Sequence, residues 1–208
     1  MDQSVPILER FRTASEGFAR RLAAVEPHQW TGPTPCSEWN VRQLVNHMAR
    51  GNLNYVDLAA GGSAADFIRQ RDLDALGDDP VGGYAASVEA CAAAFAEPGA
   101  LDRMVDHPLG RTTGRQALAV RTTDSTIHTW DLARAIGADE DLDPGLVAWI
   151  AEHLDQIYAG LVESPVDPAS THRFFAAPAG TPEPDASRQQ QLLHLMGRTP
   201  VTALPGST

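Results

Sequence analysis

The stretch Arg121-Thr122-Thr123-Asp124-Ser125-Thr126-Ile127-His128-Thr129-Trp130-Asp131-Leu132-Ala133-Arg134 decides how the chain is read. In a helix, Asp124 and His128 project from one face, about 40° apart around the axis. Ile127, Trp130 and Leu132 hold the segment against a core. A carboxylate and an imidazole on adjacent turns can share one divalent cation, because their Cβ atoms stand only about 5–6 Å apart. Two ligands rarely suffice, so a second helix has to supply a third. The best candidate is His47, in Asn40-Val-Arg-Gln-Leu-Val-Asn-His47-Met-Ala-Arg-Gly51. The expectation is a His47/Asp124/His128 metal site inside a helix bundle. The plain alternatives are a hydrogen-bonded Asp124–His128 pair and a satisfied core histidine at position 47.

Outward from this stretch, the periodicity predicts more helices. Ile7, Leu8, Phe11, Phe18, Leu22 and Val25 give residues 6–26 a helical rhythm that Pro27 ends. Thr31-Gly-Pro-Thr-Pro-Cys36 reads as a loop. Asn40, with Gln43 three residues on, forms a capping-box pattern for a helix to about Ala60, its inner face carrying Leu44, His47, Gly51, Asn54 and Leu58. Residues 61–80 read as an irregular connection with room for a short helix, and an Ala-rich helix follows from about Val81 to Ala96. Residues 100–113 suit a strand-like excursion. The central helix then runs from about Arg115 to Ile136, with Gly137 at its C-cap. Asp143-Pro144 opens the next helix as cap and first residue. Beyond about 165 the chain reads as a Pro-rich irregular tail with one short helix near Ser187–Met196. Residues 1–208 are read as a single all-α helical-bundle domain with little strand.

The composition narrows the partners. The 208 residues carry a net charge of −11, and all 16 basic residues are Arg. Nothing forms a basic stripe, which argues against nucleic acid and an anionic membrane surface. No apolar run approaches the roughly 20 residues of a membrane span. The start, Met1-Asp-Gln-Ser-Val-Pro6, has neither basic n-region nor apolar h-region, so a cytoplasmic chain with Cys36 and Cys91 reduced is expected. A homodimer is compatible with this reading.

Two blocks, Thr34-Pro-Cys-Ser-Glu-Trp-Asn-Val-Arg-Gln-Leu-Val-Asn-His47 and His128-Thr-Trp-Asp-Leu-Ala-Arg-Ala135, resemble the mycothiol-dependent maleylpyruvate isomerase N-terminal-domain group of the DinB-like superfamily. The similarity is greatest to a small actinobacterial branch described as metal-binding proteins. Phe175-Ala-Ala-Pro178 and Leu192-Leu-His-Leu-Met-Gly-Arg-Thr-Pro200 carry it towards the C-terminus. The resemblance implies an up-down-down-up four-helix bundle with short extra helices. It also implies a divalent metal, with zinc the usual assumption and nickel or iron as alternatives, held by one His of the second helix and an acidic-x-x-x-His pair. On this chain those are His47, Asp124 and His128. Members of known activity isomerise, transfer to or conjugate with a low-molecular-weight thiol, so mycothiol is the expected co-substrate and a small electrophile the expected substrate.

Around this set, Asp131 can pair with His128 at i,i+3, orient a ligand as a supporting residue, or bridge to Arg134. Cys36 precedes a helix N-terminus and is read as a supporting residue packed under the bundle, with a nucleophile or a transient ligand as the alternatives. Trp39 and Trp130 are expected as core anchors. His107, His153, His172 and His194 lack ligand spacing and read as surface or partly buried. Arg50, Arg115 and Arg121 are the candidates for binding the polar body of a thiol. Two imidazoles and one carboxylate leave a coordination position open, as in catalytic sites. A thiol-dependent transferase or isomerase is the first reading, and a non-catalytic metal-binding or stress protein the second. A non-haem iron enzyme built on a two-His-one-carboxylate set comes last, because that set usually sits on a β-barrel and no period-two alternation is present.

Overall fold

The computed structural model of this protein describes residues 5–161 and 185–198. Most of the tail expected from about 165, with Phe175–Pro178, His172 and Pro200, lies outside the described residues. Within them the chain forms seven α-helices and one two-stranded hairpin. Helices α1 (Ile7–Leu22), α2 (Val41–Ala59), α4 (Pro80–Ala96) and α5 (Gly114–Ile136) form the bundle. The short helix α3 (Ala64–Gln70) lies between α2 and α4, and strands β1 (Met104–His107) and β2 (Gly110–Thr113) between α4 and α5. Helix α1 packs chiefly on α5 and α2 on α4, while α1–α4 and α2–α5 contacts close the ring. No described helix is long and apolar enough to cross a membrane.

Local chemistry sets the boundaries. Asn40 and Gln43 cap α2 reciprocally, and Asp143 caps α6 (Pro144–Ile157) with Pro144 in its first turn. Gly137, at φ 68, ends α5 in the left-handed conformation that only glycine adopts without strain. Helix α1 stops at Leu22, short of the expected Pro27. The chain breaks there because Glu26 and Gln29 cap a separate 3-10 turn, Pro27–Gln29.

Helix α5 is buried on every side from Ala117 to Ala133, although it carries four threonines. Each hydroxyl donates one turn back: Thr122 to Leu118 O, Thr123 to Ala119 O, Thr126 to Thr122 O and Thr129 to Ser125 O. Satisfied within the helix, these side chains can be enclosed without the penalty of an unpaired polar group. A polar stretch can therefore run through the centre of the bundle.

The last helix, α7 (Arg188–Leu195), returns to the bundle and packs on α6. Leu192, Leu193 and Met196 are buried, and Gln189 clamps the α5–α6 loop: its Nε2 donates to Glu140 O and its Oε1 accepts from the Leu142 N–H.

Candidate metal centre

The middle of α5 and the first half of α2 face each other across the bundle and bring His47, Asp124 and His128 together. His47 Nε2 lies 3.5 Å from Asp124 Oδ2, and His128 Nε2 lies 3.3 Å from Asp124 Oδ1. One ligand atom from each residue lies within 4.8 Å of the others, close enough to surround a single cation. His47 Nε2 is buried and makes no hydrogen bond. A buried imidazole nitrogen in that state normally has a partner, so its orientation toward two other ligand atoms suits a cation. Trp39 stacks on His47, ring centroids 4.4 Å apart, and His128 meets His47 edge-on at 5.1 Å. Trp39 is half-buried: it covers the site's outer edge, where a core anchor was expected, whereas Trp130 is buried as expected.

Each of the two α5 ligands is held from behind. Arg121, one turn before Asp124, donates Nη1 to Asp124 Oδ2, Nε to Asn52 Oδ1 at 2.8 Å, and Nη2 to Met48 O. Asn52 passes the chain on to Ser87. The guanidinium fits because α2 carries Gly51 beside it: a Cβ there would stand 2.6 Å from Arg121 Nη1. On the other side, His128 Nδ1 lies 2.8 Å from Asp131 Oδ2. Asp131 is fully buried, and Arg198 grips it with both prongs, Nε to Oδ1 at 2.9 Å and Nη2 to Oδ2 at 2.6 Å. Cys36 completes this second layer. Its thiol donates to Asp131 Oδ2 at 3.3 Å and accepts from Arg198 Nη2 at 3.2 Å, while Sγ stays 3.9 Å from His128 Nδ1. Cys36, His128 and Asp131 thus form a second set of grouped ligand atoms that shares His128 with the first.

The charges are strongly interdependent. Burial alone would raise the Asp124 pKa, but the charge and hydrogen bond of His128, with His47 close by, hold it well below the usual carboxylate range. Burial would likewise depress His128, and the two flanking carboxylates instead raise it well above an ordinary histidine. His47 goes the other way, since burial lowers its pKa and Asp124 offsets only part of this. Asp131 ends at about 2, its burial outweighed by hydrogen bonds from His128 and Arg198. The two imidazoles are thus pushed in opposite directions around one carboxylate, His128 up and His47 down.

The three arginines read as thiol-binding candidates lie elsewhere or face inward. Arg121 is enclosed, with its guanidinium taken up by Asp124, Asn52 and Met48 O. Arg50 binds the carbonyls of Leu73 and Asp74, tying α2 to the following loop. Arg115 sits nine residues before Asp124, about 13 Å along the axis, and its guanidinium faces Asp102 at 4.0 Å. Asp131 pairs with Arg198; Arg134 binds Glu140 and lies over the Trp130 ring. His107, His153 and His194 are all buried, where surface or partly buried positions were expected. Arg198 was not singled out from the sequence, since it lies 67 positions from Asp131 with no periodic signal linking them.

Comparison with known proteins identifies a family and a fold. A sequence model of the mycothiol maleylpyruvate isomerase N-terminal domain matches residues 11–133. Two uncharacterized proteins of Mycobacterium tuberculosis, MT0763 from strain CDC 1551 / Oshkosh and Rv0738 from strain H37Rv, are each 38% identical over 133 residues. The match covers 64% of this chain and 69% of each of theirs. The crystal structure of the mycothiol-dependent maleylpyruvate isomerase superposes with a TM-score of 0.56 at 18% identity, over 72% of this chain and 69% of that one. A mutant of that isomerase gives 0.57 at 17% identity over the same shares. At these identities the likeness is one of fold.

Proposed function

Because this chain belongs to the mycothiol maleylpyruvate isomerase N-terminal domain family, we propose that it binds one divalent metal ion, zinc by preference, through His47, Asp124 and His128. The protein would use the site, in the cytoplasm, to react a low-molecular-weight thiol of the mycothiol type with a small electrophile by transfer or isomerisation. One observation carries the reading: His47 Nε2 is buried, makes no hydrogen bond and is directed at the ligand atoms of Asp124 and His128. The donor set fits the group, since two imidazoles and one carboxylate are the ligand types of catalytic zinc and leave a position for a substrate atom. A bound ion of this kind supplies Lewis acidity, which lowers the pKa of a thiol brought to it.

The chain's own residues do the rest. Arg121 holds Asp124 in place, and Asp131 takes the far nitrogen of His128 so that Nε2 faces the ion. Trp39 orients His47 and shields the site from bulk water. The decisive experiment is metal analysis of protein purified without a histidine tag, followed by calorimetric titration with mycothiol. One equivalent of metal, and thiol binding with proton release in the metal-loaded protein alone, are expected. Metal-loaded protein that binds no thiol would leave a non-catalytic metal-binding protein. That second reading has support in the enclosure of the site, where Asp124 and His128 are 5% and 2% exposed.

A further inference from the structure

We propose that Arg198, delivered by the C-terminal helix, is a positioning residue that fixes His128 for cation binding by acting through Asp131. The proposal rests on the cation reading given above. The way the chain aims this side chain is specific. Helix α7 ends at Leu195, and Gly197 turns the backbone at φ 68. The Gly197 N–H donates to His194 O at 2.9 Å and the Arg198 N–H to Leu193 O at 2.8 Å, the paired bonds of a Schellman cap. Arg198 is thereby folded back toward the bundle, its Nη1 donates to Met196 O, and its other two donors reach Asp131.

A carboxylate gripped by both prongs of a guanidinium is ionised and can only accept. The His128 nitrogen that faces it, Nδ1, must then carry a proton, and Nε2 is the nitrogen presented to Asp124 and to a cation. Without Arg198, Asp131 would lose the one partner that holds both of its oxygens. It would be free to turn toward the Cys36 thiol, its other partner, and His128 would lose its fixed orientation. The same guanidinium lies against Cys36, so it also places a positive charge within the second ligand group, Cys36, His128 and Asp131. The residue that secures the first cation set thus keeps the second set from taking an ion of its own.

The test uses the full chain with Arg198→Ala, Arg198→Lys, Asp131→Asn and the Arg198→Ala/Asp131→Asn double variant. Zinc affinity is read by competition with a chromophoric chelator. In metal-free protein, exchange of the downfield Nδ1 proton of His128 is read by NMR. Arg198→Ala should weaken zinc binding by about 10–100-fold, the usual effect of removing an outer partner of a ligand, and should speed exchange of that proton. Arg198→Lys, which keeps the charge but not the fork, should fall between, and it decides the matter if the Ala variant does not fold. In the Asp131→Asn background the Arg198→Ala change should cost no more than about threefold, because a residue acting through Asp131 has nothing left to act on. A folded Arg198 variant with wild-type zinc affinity and proton exchange would overturn the proposal, as would an undiminished loss in the Asp131→Asn background. If the wild-type protein binds no zinc, the cation reading fails, while the His128 proton still judges the role of Arg198.

Discussion

Arg121 occupies the space beside Gly51 that a side chain would need: a Cβ at Gly51 would approach its Nη1 to 2.6 Å and its Cζ to 2.8 Å. The guanidinium cannot simply swing aside, because Asn52, Asp124 and Met48 O hold it in a buried position. Gly51→Ala is therefore expected to destabilise the protein by about 1–3 kcal/mol, the range for overpacking a core. It should also loosen metal retention, since Asp124 loses its anchor. Urea denaturation and metal content of the same preparation check both effects.

Replacing either imidazole should empty most of the site. His128→Ala carries a second penalty, because it leaves Asp124 and Asp131 buried without the group between them. Losing a hydrogen bond to a buried charged group of this kind typically costs about 1.5–3 kcal/mol. His47 lies at the edge, with 23% of its side chain exposed, so His47→Ala should lose metal with a smaller change in unfolding midpoint. Full metal occupancy in both variants would sink the ligand assignment.

Cys36→Ser should alter stability more than metal affinity. The serine hydroxyl can still donate to Asp131, but it is smaller than the thiol it replaces against Arg198. A loss of less than about 1 kcal/mol with nearly unchanged zinc affinity is expected from paired denaturation and competition measurements. Metal lost from a well-folded variant would make Cys36 a ligand.

Acid should weaken the fold through His107, a buried histidine outside the ligand set. The Leu109 N–H donates to His107 Nδ1, so Nε2 carries the proton and donates to Tyr55 Oη at 2.8 Å. Burial lowers the His107 pKa from 6.5 to about 4, with the Asp124 charge opposing it. The unfolded chain thus binds the extra proton first, and stability falls as pH drops from about 6.5 to 4, by on the order of 3 kcal/mol. His47 adds in the same direction. Asp131 contributes stability above about 3.8 that is lost only as pH falls on toward 2. Denaturation of wild type and His107→Gln across pH 4 to 7 should give curves that converge toward the acid end. Parallel curves would show that His107 does not titrate in this way.

The helix ends were legible because their causes are local. Asn40 with Gln43, Asp143 with Pro144, and Gly137 each act on backbone groups within four residues. The shared face of Asp124 and His128 was legible for the same reason, being a matter of spacing on one helix. What the sequence hid depends on distant segments meeting. Arg121 looked available to a substrate because nothing at its own position announces the gap at Gly51 on another helix. Arg198 and Cys36 lie 162 positions apart, and only the docking of α7 brings them to one carboxylate. The buried histidines escaped notice because their partners, such as Tyr55 for His107, are likewise tertiary.

The principal packing of α1 against α5 also has a temporal consequence. The face of α1 that packs on α5 finds that partner only after Ile136 has been made, more than a hundred residues later. At about 5–20 residues per second on the ribosome, that face waits on the order of ten seconds for its partner helix. A nascent chain of this protein is thus most open to chaperones and to aggregation between the emergence of α1 and that of α5. A synonymous change that slows translation between α2 and α5 would lengthen that exposure without altering a single residue of the finished bundle.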